Sequence, residues 1–310
     1  MIAARRGRPR RSWHDLPSLR PPQTAPRDAA PPPVVVYAPE SLLRHPGALV
    51  REMARDLGAS RELAWRLFVR NVSARYRQTV FGYVWAFLPP LVTTALFVLL
   101  RRGGLFSVAD TGVPYVAFVL TGMVLWQTFA EALLAPLRMV GQSRSLLTKI
   151  NFPREALLLA ALAEVTFSFC VRALLLVGAL AWFRLVPPPT VALVPVGLAV
   201  LVAVGLAIGT ALVPLAILYQ DVEQALGAAV PLWMFATPVL YPAPVNFPGT
   251  LTMTLNPVGP ALDTTRAWLL GGSPHLAAFG WVALGAFAVL LAGWLLYRLA
   301  LPILIERMSA

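Results

Sequence analysis

The residues able to do chemistry are few in this chain and widely scattered. Its one lysine, Lys149, lies in SLLTKINFPRE, without the glycines that a phosphate-cradling G-x-x-x-x-G-K-[ST] loop requires. Three histidines and one cysteine, Cys170, are too dispersed for a metal-ligand spacing, and no Ser-His-Asp grouping stands out. Asp221 and Glu223 are the one close pair of acids in a predicted loop. Paired carboxylates can hold a metal in a membrane glycosyltransferase, but two acids with no third ligand make a poor site, and Asp221 serves equally as the cap of a following helix. The reading is therefore of a chain that is not an enzyme and carries no cofactor or metal of its own. Any transport it performs needs energy from another subunit.

A second set of ionisable residues, Glu131, Glu164 and Arg172, lies inside apolar runs. A charge at bilayer depth costs roughly 2.5–3.5 kcal/mol on insertion scales, so each must face protein or water. Glu164 and Arg172 are about 12 Å apart along one helix, too far to pair directly. A pairing of Glu131 with Arg172 across two helices is the alternative, and structural pairing is preferred over contact with substrate.

The elements that hold these residues follow from composition. The chain has 310 residues, 58% hydrophobic and 13% charged, with a mean hydropathy of +0.69. A soluble domain carries about 25% charged residues, so the deficit marks an all-α polytopic membrane protein. Residues 1–79 hold 15 of the 25 arginines and 6 of the 14 acids, which gives this quarter +9 of the net charge of +12. The basic balance is thus a tail and a membrane anchor, and no nucleic-acid surface is expected. Residues 1–45, rich in Arg and Pro, read as a disordered cytoplasmic tail. Residues 46–79 form an amphipathic interface region, and 80–310 the transmembrane domain.

Runs of about 20 apolar residues cross a bilayer. Six are predicted, at about 80–100, 113–137, 156–183, 191–218, 224–241 and 276–301. Residues 242–275, semi-polar and rich in Pro and Gly, contain a short apolar piece at 258–270 and read as a re-entrant or interfacial helical hairpin before the last span. The arginine bias puts both termini and the loop 138–155 on the cytoplasmic side of a plasma membrane.

Two segments are suited to contact something soluble. In 61–91, RELAWRLFVRNVSARYRQTVFGYVWAFLPPL, helical spacing puts Trp65, Phe68, Val69, Val72 and Tyr76 on one face, flanked by Arg66, Arg70 and Arg77. Such a helix lies in the headgroup plane, and the pattern describes an ordinary juxtamembrane anchor equally well. In 144–155, RSLLTKINFPRE, Leu146, Leu147 and Ile150 make one side of a short helix ended by Asn151-Phe152-Pro153. This is a rigid handle for a partner or a simple connecting loop. A polar polymer with apolar C–H faces would favour an aromatic path. Tyr83, Trp85, Phe87, Trp126, Phe129, Trp233 and Phe235 are the residues for it, although each fits helix packing or an interfacial belt at least as well.

RNVSARYRQTVFGYVWAFLPPL resembles the membrane entry of permease subunits of ABC-2 type polysaccharide exporters, which move O-antigen, teichoic acid and capsule chains. TKINFPRE resembles the same family's cytoplasmic loop, Tyr219-Gln220-Asp221-Val222 its motif after the fourth span, and Asn256-Pro257 with Gly259 and Arg266 its re-entrant region. The match is collinear over about residues 60–300; Asn71 stands where the family often has an acid. The resemblance implies an ATP-driven exporter of lipid-linked polysaccharide in the bacterial inner membrane, with two copies of this chain and two ABC ATPase subunits that carry the ATP-Mg. It implies docking of the ATPase on Arg66, Arg70, Arg75 and Arg77 of the interface helix, and on Leu147, Lys149, Phe152 and Arg154 of the loop. Residues 245–272 would form gate helices on the outer side. A drug or small-lipid efflux permease is the first alternative, and an integral-membrane glycosyl- or acyltransferase the second.

Overall fold

The computed structural model describes residues 46–309 apart from 78–81, 83, 106–108, 150–151, 220 and 244–254. Its elements are α1 (Pro46–Ala59), α2 (Arg61–Arg77), α3 (Val84–Arg102), α4 (Tyr115–Gln142), α5 (Arg144–Lys149), α6 (Glu155–Trp182), a 3-10 turn (Pro189–Leu193), α7 (Val194–Leu218), α8 (Asp221–Phe235), α9 (Val258–Leu270) and α10 (Leu276–Ser309). Among the described residues there is no strand. Among the described residues five helical segments are long and apolar enough to cross a membrane: α3, α4, α6, the 3-10 turn with α7, and Leu276–Leu301 of α10. This is an all-α polytopic membrane fold.

The expected span at 224–241 takes a different form. Its helix, α8, has 15 residues and gives way to turns at 236–241. At 1.5 Å per residue it reaches about 22 Å, short of the roughly 30 Å hydrocarbon core. Pro238 explains the stop, because the residue before a proline is pushed out of the helical region. The short apolar piece at 258–270 is the 13-residue α9. Residues 244–254 of the segment linking α8 to α9 lie outside the described residues, as do the tail and Tyr83.

The bundle is organised around α4, most of whose length is buried, packed against α7, α6 and α3. Its seam with α7 is close because α7 presents glycines at 205 and 209. A Cβ on Gly205 would lie 2.7 Å from the Ala132 Cβ and 2.8 Å from the Phe129 carbonyl, and one on Gly209 would overlap the Leu133 carbonyl. Small residues four apart let membrane helices approach backbone to backbone, which supplies van der Waals contact where lipid offers no hydrophobic drive. On its far side α7 packs on α10.

Two apolar cores result. One, at the end bearing α2 and α5, joins Leu67, Val140, Leu147, Leu157, Val213 and Tyr297. The other, at the opposite end, joins Phe118, Trp126, Phe129, Leu201, Leu262 and Trp268. α2 packs lengthwise on α6. Toward the bundle it turns Ala64 and Leu67, which are buried, whereas Trp65 is 63% and Val69 42% exposed. Phe68 does turn in, its ring 5.9 Å from that of Phe167 in an edge contact.

Candidate functional site

The inward face of α2 is fixed by polar contacts as well as apolar ones. Asn71 Nδ2 donates to Glu164 Oε1 at 2.8 Å, and the Arg75 guanidinium reaches Glu164 Oε2 at 3.3 Å. Glu164, on α6, is thus the partner for two groups of α2. The acid absent from position 71 is met by one across the helix pair. This rotates the helix toward Asn71 and leaves Trp65 and Val69 outside.

The second intramembrane charge is paired as expected. Arg172 Nη2 donates to Glu131 Oε2 at 2.6 Å, with Gln127 Oε1 at 3.4 Å from Nη1. Arg172 is 4% exposed, and the pair stitches α6 to α4. Such a bridge is compensated desolvation more than net stability: removing one partner typically costs about 3–5 kcal/mol because the other charge is left buried.

A third cluster, at the start of α6, was not legible in the sequence. Arg298 of α10 bridges Asp56 of α1 at 2.9 Å and Glu155 of α6 at 3.1 Å. The neighbouring Tyr297 hydroxyl donates to the Arg154 carbonyl at 3.0 Å. One guanidinium thereby joins three helices that are distant in sequence. Only the periodicity of the last helix, which puts Tyr297 and Arg298 near its end, hints at it.

The loop after α4 is built into the bundle. Arg144 Nη2 donates to the Ala216 carbonyl at 2.9 Å and to that of Ile217 at 3.4 Å, closing free acceptors at the end of α7. Leu147 is buried in the core beside α2, and Phe152 packs against it. Leu147, expected on the docking face, thus has its side chain in the core of its own chain. Arg75 likewise turns toward Glu164. Arg66 and Arg70 remain on the open side: Arg66 pairs with Glu62 one turn back, and Arg70 Nε donates to Asn71 Oδ1 at 3.1 Å. The side chains of Arg77 and Lys149 lie outside what is described.

At the opposite end α8 and α9 are tied together by side chains. Asn256 Nδ2 donates to Thr237 Oγ1 at 2.8 Å, while its Oδ1 accepts from Trp233 Nε1 at 3.2 Å and from the Val258 N–H at 3.1 Å. Arg266 is buried, with its guanidinium 3.8 Å over the Phe118 ring. It donates to the Pro238 carbonyl at 2.9 Å and pairs with Asp263. Asn256 and Arg266, two residues of the fourth family motif, thus clamp the end of α8 to α9.

The expected aromatic path is only partly assembled. Trp126 and Phe129 are buried and stack with Trp233 into one cluster, centroids 5.1–6.3 Å apart, so they form the wall between α4 and α8 within a single chain. Phe235 is exposed and lies 6.2 Å from Phe97 of α3. Trp85 is exposed, and Phe87 half-buried. Asp221 and Glu223 sit in the first turn of α8, where acids favour a helix N-terminus. Among the described residues no three His, Cys, Asp or Glu side chains gather as a metal site.

No protein-family model matches the chain. It is similar to an O-antigen export system permease protein RfbA of Myxococcus xanthus, 28% identical over 220 residues, which spans 69% of this chain and 83% of the relative. Two proteins of the same description from Klebsiella pneumoniae are 24% identical over 230 residues and 21% over 229, covering 72% and 71% of this chain and 85% of each relative. The resemblance carried by the four sequence motifs is borne out by these relatives.

Proposed function

We propose that this chain is the membrane-spanning permease subunit of an ABC exporter that moves lipid-linked polysaccharide across the bacterial inner membrane. The observation that carries the reading is the similarity to O-antigen export permeases over about 70% of the chain, on a bundle of five apolar helices preceded by a helix along its flank. Two copies pair with two ATPase subunits that hold the ATP-Mg, and both termini are cytoplasmic. The open side of α2, with Arg66, Arg70, Trp65 and Val69, receives the ATPase. Its inward side transmits force through Glu164 to α6. Neither the drug-efflux nor the transferase alternative gains an observation.

Mechanism in this reading is a lever. A push on α2 cannot rotate it freely, because Leu67, Asn71 and Arg75 are keyed into α6. α6 is in turn bridged to α4 by Arg172, and to α1 and α10 by Glu155 with Arg298. Movement at the ATPase face is delivered to helices on both sides of the bundle. The test is surface-glycan analysis of a deletion strain. Loss of the long-chain glycan, restored by the wild-type gene, is expected; unchanged glycan with heightened drug sensitivity would transfer the chain to drug efflux.

A further inference from the structure

Between α3, α4 and α6 lies an open cleft of about 440 Å³ at the α2 end of the bundle. Three arginines line it, Arg75, Arg138 and Arg172, against one carboxylate, Glu131. Two of the guanidiniums are engaged, Arg75 by Glu164 and Arg172 by Glu131. Arg138 makes no ion pair or hydrogen bond among the described residues. Arg172 keeps its Nε without a partner although the side chain is about 95% buried. A buried N–H without an acceptor is costly, and a ligand oxygen would satisfy it. The cleft is thus a cationic recess whose donors are only partly used.

Its other wall is apolar and belongs to α3. Trp85, Ala86 and Pro89 form the rim. Beyond them Leu88, Leu91, Val92, Leu96 and Leu99 run exposed along the span. A ligand that matches both walls has an anionic head with several acceptor oxygens and a long apolar tail. Phosphate fits the head, since guanidinium forks pair with its oxygens bidentately. Ionisable residues inside a span mark sites where a polar group is handled.

We propose that this cleft binds the phosphate headgroup of a membrane lipid, with Arg138 and Arg172 on the phosphate and the tail along α3. The inference needs α3 to lie in the membrane and does not depend on which cargo the chain exports. In the proposed exporter it would be the place where a lipid-phosphate carrier first meets the permease.

The test uses the purified full-length chain in an uncharged detergent, titrated with a radiolabelled polyprenyl phosphate. The unphosphorylated polyprenol and inorganic phosphate serve as competitors. Saturable binding is expected, weakened about tenfold or more by Arg138→Gln, which breaks no pair among the described residues. The double variant Glu131→Gln/Arg172→Gln, which removes the charge pair without orphaning either partner, should weaken it similarly. Arg102→Gln, at the far end of α3, should bind as the wild type does. The proposal is overturned if both cleft variants bind normally, or if polyprenol competes as well as the phosphate, which would leave an apolar groove only. Displacement by inorganic phosphate at equal concentration would overturn it too, by showing a free-anion site. Normal lipid binding in a chain whose deletion leaves surface glycan unchanged would count against the proposed export function alone.

Discussion

The seam between α4 and α7 and the joint between α2 and α6 are both helix pairs, held together by different physics. The first is glycine against backbone, with Gly205 and Gly209 pressed on Phe129, Ala132 and Leu133. The second combines the apolar Ala64 and Leu67 with Asn71, Arg75 and Glu164 at the rim. A close-packed seam has one geometry and no cheap alternative. Hydrogen-bonded polar contacts near a surface can exchange partners with water at small cost. The contrast separates a seam closed by backbone contact from a joint keyed by side chains, and the keyed joint sits where the ATPase is proposed to press.

The contrast can be broken at several points. The largest effect belongs to the seam: Gly209→Leu places a side chain where the Leu133 carbonyl already stands. Here the obstacle is backbone, which cannot yield as a side chain does, so the seam cannot close and the folded protein recovered in detergent should fall sharply, read by size-exclusion yield and thermal unfolding. Arg172→Ala comes close behind. Orphaning Glu131 should cost about 3–5 kcal/mol at most, and adding Glu131→Gln should recover much of it; equal loss in the single and double variants would mean that Arg172 acts by packing alone.

Smaller in stability but larger in function is Arg298→Gln, which releases Asp56 and Glu155 together. A loss of about 1–3 kcal/mol is expected, with export falling further than the drop in folded protein explains. Export that simply tracks protein level would remove the lever from the mechanism. Least in stability is Arg66→Glu with Arg70→Glu. Exposed ion pairs are worth about 0–1 kcal/mol, so unfolding should hardly shift. Recovery of the ATPase subunit with the chain should nevertheless drop, and undiminished recovery would take these arginines out of the docking face.

Much of the frame is legible in the sequence because span length and apolarity are local properties. Five of the apolar runs appear as helices close to their expected limits, and α9 occupies 258–270 as read. The remaining run, 224–241, is mostly apolar, but its helix ends at Phe235, ahead of Pro238. The pairing of Glu131 with Arg172 was reachable because charges in apolar runs have few partners to choose from. The contact of Asn71 with Glu164 was not, since the two lie 93 positions apart. Arg298 with Asp56 and Glu155 was hidden for the same reason. Leu147 shows the converse: an apolar residue in a short loop helix read as a handle is consumed by the chain's own core. The loop's arginine, Arg144, bonds the end of α7 instead of waiting for a partner.

The central claim is that this chain is the permease half of an ATP-driven pair. The most direct test purifies the tagged chain from its native membrane at low salt and assays ATP hydrolysis before and after a wash that strips peripheral subunits. The account predicts an ATP-binding subunit in near-equal amount, hydrolysis that leaves with that subunit, and none in the stripped chain. Hydrolysis retained by the stripped, pure chain would contradict it.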